Sequence, residues 1–302
     1  MRKRTSNIIQ LAKKNKIDII GKVDLDVLTS FSEGFSRLKD EKIPFFDGEL
    51  IDRIDYLKVW SETRSILSFG MYYNQHVKKP DDLVGRAKIS KSSYGTDYHR
   101  VLKTNATNFM EELRLSFPCE YKIYVDTGML SDRALAYSAG LGFFGKNGFI
   151  INEEYGSYIF LGHILIDREM DMDYTPPIKQ KCADCERCIK ACVKNAIIGG
   201  KIGYFDCLSY LSQVGKAEKQ YGYIYGCDLC QEVCPYNEVR HKVSEEFNTT
   251  SELAYPKVEQ LAKLTNSEFK KLYGSSALFW RRFKNIKLNC ANFIDEVENE
   301  DI

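Results

Sequence analysis

What the 302 residues lack narrows the field first. No apolar run approaches the roughly 20 residues of a membrane-spanning helix. The basic start "MRKRTSNIIQLAKKNK" leads into no apolar stretch of the kind a secretory signal carries, so the chain is expected in the cytoplasm. There is no G-x-G-x-x-G fingerprint and no P-loop, which removes the usual dinucleotide and nucleotide modules. Internal repeats and low-complexity tracts are missing too, so the chain reads as neither solenoid nor linker. Net charge is only +1, and the overall balance argues neither for nor against nucleic acid.

What is abundant is cysteine: ten in a chain without an export signal, which argues for metal ligation over a disulfide framework. Eight lie in one stretch. "KCADCERCIKACVKNA" places Cys182, Cys185, Cys188 and Cys192 at C-x₂-C-x₂-C-x₃-C spacing. "YGCDLCQEVCPYN" adds Cys227, Cys230 and Cys234, and Cys207 stands between the groups in "YFDCLSY". The spacing suits [4Fe–4S] ligation because one tight loop aims three thiolates at a single cubane. In two-cluster ferredoxins the fourth cysteine of a run ligates the other cluster. Applied here, Cys182, Cys185, Cys188 and Cys234 hold one cluster, and Cys192, Cys207, Cys227 and Cys230 the other. Two structural zinc sites are the alternative, since C-x₂-C pairs also suit zinc. Cys119 and Cys290 stand outside the pattern as buried structural thiols.

Periodicity divides the rest. Helical spacing marks 5–15, 26–40 and about 97–117, and strand character marks "IDIIGKVD", "RSILSFGMYY" and "EYKIYVDTG". "SDRALAYSAG" reads as a helix with Ser131 as N-cap and Gly140 just past its end. "GFIINEEYGSYIFLGHILID" reads as a hairpin, with His163 a core residue of its second strand. The pair Pro176-Pro177 is the best boundary in the chain. The expected layout is an α/β (α+β) domain over 1–175, a two-cluster ferredoxin-like domain over 176–243, and a short helical segment over 244–302.

The N-terminal stretches "YGTDYHRVL", "YVDTGMLSDRALAYSAGLGFFGKN" and "YGSYIFLG", followed by "CADCERCIKAC", "CLSYLSQ" and "YGCDLCQEVCPYN", resemble in content and order the epoxyqueuosine reductase family. The resemblance runs from about residue 60 to 290. It implies a nitroreductase-like cobalamin-binding domain beside the two clusters, and removal of the epoxide oxygen from epoxyqueuosine at the tRNA wobble position. A related corrinoid and iron–sulfur reductase of dehalogenase type, acting on a small molecule, is the alternative.

Removing that oxygen as water needs protons, so a general acid is required. The family's D-T-G aspartate corresponds to Asp126, whose bland role would be capping the Thr127–Gly128 turn. Tyr98 and His99 fall in a motif that the resemblance places at the substrate. Arg133 is a further substrate candidate, able to reach a ribose, a phosphate or a corrin amide, or simply to pair with Asp132 or Glu153. Lys146 and Asn147 follow a glycine-rich turn that suits cobalamin's polar side chains, and Ser209 and Asp228 lie where the cluster segment is expected to meet the cofactor. For tRNA, "KKLYGSSALFWRRFKNIK" combines Lys270, Lys271, Arg281, Arg282, Lys284 and Lys287 with Tyr273, Phe279 and Trp280. A low-potential flavodoxin- or ferredoxin-type donor, no membrane and a monomeric state complete the expectation. Many family members continue into HEAT-like helical repeats, which this sequence does not contain.

Overall fold

The structure is a computed structural model; it describes residues 2–32, 42, 44–46, 48–199, 201–238, 241–280 and 282–300. Ten strands are described: β1 (Ile19–Lys22), β2 (Ser65–Tyr72), β3 (Lys88–Ile89), β4 (Tyr121–Tyr124), β5 (Phe143–Phe144), β6 (Ile150–Ile151), β7 (Ile159–Ile166), β8 (Ile197–Ile198), β9 (Lys201–Ile202) and β10 (Tyr223–Tyr225). The chain forms two compact units, each built from two separate segments. One comprises Met1–Tyr72 and His99–Cys185, the other Tyr73–Tyr98 and Glu186–Ile302. Among the described residues no helix is long and apolar enough to cross a membrane.

The first unit is organised by an antiparallel sheet in the order β1-β2-β7-β4. Every residue of β2 is buried, which is why "SILSFGMY" reads as a continuous apolar run and not an alternating one. The β2–β7 register sets Phe69 opposite Gly162, and the Phe69 ring occupies the space a side chain at 162 would need. The helix Tyr98–Arg114 buries Val101, Leu102, Ala106, Phe109, Met110 and Leu113 on one face, close to the span expected from spacing.

The helix Asp132–Ser138 closes in a Schellman arrangement: Gly140 N donates to Tyr137 O and Leu141 N to Ala136 O, with Gly140 at φ +66°. A Cβ at 140 would stand 2.6 Å from Thr175 O, so both conformation and space call for glycine. Ser131 sits at the N-cap position, with backbone φ −83° and ψ 101°. Of the helix expected over 26–40, Leu25–Ser30 forms, and 33–40 lies outside the described residues.

The expected hairpin over 148–167 is a correction. Asn152 and Gly156 do form a tight turn, but β6 pairs with β5 while β7 joins the large sheet between β2 and β4. Pairing partners were a long-range choice, and neighbouring strands in sequence did not win it.

In the second unit, β3 pairs in parallel with β10, and the C-terminal helices pack on this ribbon. The core gathers Ile89, Ile224, Val258, Leu261, Phe269, Leu278, Ile286 and Phe293 around Cys290, whose exposure is 0%. Phe269 and Phe283 stack at 4.1 Å between ring centroids. Thr265 and Glu268 complete a capping box at the start of the helix Asn266–Tyr273. Cys119 is buried in the first unit, as a structural thiol would be.

Candidate active site

Strand β4 ends at Tyr124; Val125 is buried, and the next residue, Asp126, takes φ +53°. A non-glycine residue in this left-handed region costs of order 1 kcal/mol or more and is held there by its surroundings. Thr127 N donates to Val125 O at 2.6 Å and Gly128 N to Asp126 O at 2.9 Å, so backbone groups make the turn. The Asp126 carboxylate faces the imidazole of His99, with Oδ2 3.4 Å from Nε2. His99 lies in the first turn of the helix Tyr98–Arg114 and its side chain is 18% exposed, against 55% for Asp126. A carboxylate open to solvent and backed by a half-sheltered imidazole is a pair that can hold a proton and pass it outward.

The far end of the turn is anchored firmly. Ser131 N donates to Arg53 O at 2.7 Å, and the Arg53 guanidinium donates to Leu130 O at 3.1 Å. Asp132 Oδ1 lies 3.0 Å from Nε2 of His163, which is fully buried on β7. The expected core role of His163 therefore carries a specific partner. Arg133 donates to Gly148 O at 2.7 Å. Asn147 is buried and its Oδ1 accepts from Phe149 N at 3.3 Å, shaping the same turn. Lys146 Nζ donates to Ala183 O at 2.7 Å and Cys185 O at 3.1 Å, which ties this loop to the one carrying Cys182 and Cys185. These side chains build loop geometry; no sequence signal pointed to those backbone partners.

The D-T-G turn also leaves room beside it. A Cβ at Gly128 would meet only Tyr124 Cδ1, at 3.4 Å. The exposed Asp126 carboxylate therefore stands beside an uncrowded turn.

No disulfide joins any of the ten cysteines. In the second unit Cys207 has Cys192 as an electrostatic neighbour, Cys227 has both, and Cys230 has Cys227, Cys207 and Cys188. Burial pushes the Cys207 thiol up and the Cys227 thiol to about 12, and it raises Cys230 further. Backbone N–H groups nevertheless point at the sulfurs. Ala196 N donates to Cys192 Sγ at 3.3 Å, Ser209 and Tyr210 supply bonds to Cys207, and Leu229 supplies one to Cys227. Clustered thiols that are poor thiolates alone, yet are ringed by N–H donors, suit a cationic iron–sulfur core that offsets their charge.

Asp228, beside Cys227, is buried and accepts from Ser90 Oγ at 2.7 Å and Lys91 N at 2.8 Å. Burial raises its carboxyl above the usual range. Lys91 Nζ reaches Asn74 Oδ1 at 2.6 Å, and Asn74 Nδ2 donates to Asn237 O at 2.9 Å. This chain of polar contacts fastens 74–91 to the cysteine-rich segment; nothing in the sequence marked it. Ser209 Oγ accepts from Gln213 Nε2 at 3.4 Å. Among the described C-terminal residues expected at tRNA, Phe279 (40%) and Trp280 (58%) are exposed. Tyr273 is buried in the core and is not available to stack, while Arg281 lies outside the described residues.

Thiols spaced in this way on a mixed α/β scaffold suit an iron–sulfur protein. A family model for a 4Fe-4S double cluster binding domain matches residues 181–237, and one for epoxyqueuosine reductase QueG, DUF1730, matches 53–127. The chain is 36% identical over 239 residues to the epoxyqueuosine reductase of Lactococcus garvieae, covering 76% of this chain and 68% of that protein. It is 35% identical over 237 residues to the enzyme of Staphylococcus aureus, covering 75% of this chain and 62% of that protein. It also superposes with a TM-score of 0.86 on a crystal structure of epoxyqueuosine reductase with an epoxyqueuosine-modified tRNA-Tyr stem loop, at 28% identity and covering 96% and 80% of the two chains. The chain belongs to the epoxyqueuosine reductase family, and the stretch it shares with the Staphylococcus aureus relative is under two thirds of that protein's length.

Proposed function

We propose that this chain is a cytoplasmic, cobalamin-dependent iron–sulfur reductase that converts epoxyqueuosine to queuosine in tRNA. The observation that carries the reading is the strained, exposed Asp126 facing His99 in a chain that also holds an iron–sulfur domain. The reaction takes two electrons and two protons, forms a carbon–carbon double bond and releases the epoxide oxygen as water. Asp126 delivers a proton to the departing oxygen, and His99 behind it restores that proton from solvent. Tyr98 and His99 border the substrate, with Arg133 shaping the neighbouring turn through Gly148. Lys146 and Asn147 set the loop beside the cofactor, while Ser209 and Asp228 set the cluster side.

Cobalamin, when bound, supplies low-potential reducing chemistry at the epoxide. Cys182, Cys185, Cys188 and Cys234 would hold one [4Fe–4S] cluster and Cys192, Cys207, Cys227 and Cys230 the other, and the pair would supply one-electron redox chemistry. The tRNA anticodon loop meets exposed Trp280 and Phe279 together with Lys270, Lys271, Arg282, Lys284 and Lys287. The enzyme works as a monomer with a flavodoxin- or ferredoxin-type donor.

The test is anaerobic turnover of tRNA bearing epoxyqueuosine by the reconstituted protein, with a strong reductant. Wild type converts it; Asp126→Asn retains the cluster and corrinoid spectra but not turnover. A wild type that binds no corrinoid, or an active Asp126→Asn, overturns the reading.

A further inference from the structure

Residues 193–199 and 201–206 flank Cys192 and Cys207. Cys192 precedes them and Cys207 follows, and these two sulfurs are electrostatic neighbours. In between, β8 and β9 form a short antiparallel ladder, Ile197 with Ile202 and Ile198 with Lys201. Ala196 closes it at the base, its N–H on Cys192 Sγ and its carbonyl accepting from Gly203 N at 2.8 Å.

The alternation of the ladder turns Ile197 inward and Ile198 outward, the latter 76% exposed. Val193 (38%) and Phe205 (46%) are exposed on the same stretch. The Phe205 ring is steadied edge-on against Tyr210 at 5.2 Å. The charge here is one-sided. Arg187, Lys190, Lys194 and Lys201 stand against Glu186 and Asp206 between 186 and 206, in a chain whose net charge is +1. Lys190 is 77% exposed although Glu186 lies 3.4 Å away.

We infer that this hairpin is the docking surface of the reductant, an acidic one-electron carrier protein. The inference rests on the second cluster set proposed above. Transient redox interfaces are small, with an apolar contact and charges that steer the approach. Here Ile198, Val193 and Phe205 give the contact, and the four cations give the steering toward an acidic face. The patch lies between two proposed ligands of one cluster, so a carrier seated on it is brought next to that cluster. A nucleic-acid surface is less well matched, because aliphatic side chains offer no stacking face and the one exposed ring is already packed on Tyr210. Each docking moves one electron from the reduced carrier to the cluster, and two dockings supply the pair that the epoxide consumes.

The experiment uses the full iron–sulfur-loaded chain and follows cluster bleaching by stopped flow. One reductant is a reduced acidic flavodoxin as the probe, at low and at high salt; the other is dithionite. Lys194→Glu combined with Lys201→Glu lowers the flavodoxin rate constant about tenfold or more at low salt, and high salt closes the gap. Ile198→Ser lowers it at both salt concentrations. Dithionite reduces wild type and variants alike. Flavodoxin rates indifferent to all three substitutions, with dithionite reduction intact, overturn the docking surface alone. The same holds if the substitutions weaken only the binding of a tRNA stem loop. A wild type with no dithionite-reducible cluster overturns the cluster assignment and this surface with it.

Discussion

Replacing Asp126 by glycine separates what that position costs the fold from what it contributes to chemistry. At φ +53° an L-residue with a Cβ gives up about 1–2 kcal/mol, somewhat less for aspartate, and glycine removes that cost. Glycine adds back about 0.5–1 kcal/mol through the greater freedom of the unfolded chain. The lost contact to His99, 3.4 Å long and more than half exposed on the Asp126 side, is worth at most about 1 kcal/mol. These terms nearly cancel, so Asp126→Gly is expected to melt within about 2 °C of wild type. Turnover, by contrast, loses a positioned proton donor and falls by about 10²–10⁴. Asp126→Asn retains the Cβ and tolerates the left-handed region, so it shares the catalytic loss with little stability change. Differential scanning calorimetry and anaerobic turnover on epoxyqueuosine tRNA read the two quantities. A glycine variant that melts several degrees lower refutes the strain argument, and one that turns over normally refutes the acid.

Phe269→Ala, in the stacked core of the second unit, should cost about 3–5 kcal/mol in urea unfolding. Asp228→Ala removes the acceptor for Ser90 Oγ and Lys91 N at a buried site; about 2–4 kcal/mol is expected, with loss of protease resistance in 74–91. Gly140→Val combines a forbidden φ with a collision on Thr175 O and should destabilise by more than about 2 kcal/mol, read as a lowered urea midpoint. Burial and the Glu111 hydrogen bond raise the Tyr121 phenol from 10.0 to about 12. The unfolded chain therefore ionises this tyrosine first, and stability falls as pH climbs from 10.0 towards 12. Tyr121→Phe should flatten that part of an alkaline denaturation profile.

Features decided within a few residues were legible before any fold was known. Helical spacing marked Tyr98–Arg114, the Ser131 and Gly140 signals framed Asp132–Ser138, and thiol spacing marked the iron–sulfur domain. The family resemblance singled out Asp126 as a candidate, but its positive φ was not legible, because a turn's exact dihedrals depend on how its ends are held. What stayed hidden was long-range. Asp97 N bonds to Ser275 O, Arg86 donates to Tyr255 O, and β6 chooses β5 over its neighbour β7. Such partners are selected by the packed interior, and no local periodicity encodes them. Lys146 illustrates the limit well: a lysine after glycines suggests a ligand, yet its partners are two carbonyls of the cysteine loop.

The parallel pairing of β3 with β10 has a consequence for biosynthesis. Lys88 must wait for Tyr223, and Ala87 and Ile89 must wait for the helices beyond Val258, before their hydrophobic faces are covered. On a ribosome that synthesises from the N-terminus, the second unit stays incomplete until the residues through Phe293 have emerged. A nascent chain stalled or cut between 225 and 257 would hold β10 but leave Ala87 and Ile89 without the helical cover that begins at Val258, a target for chaperones and proteases.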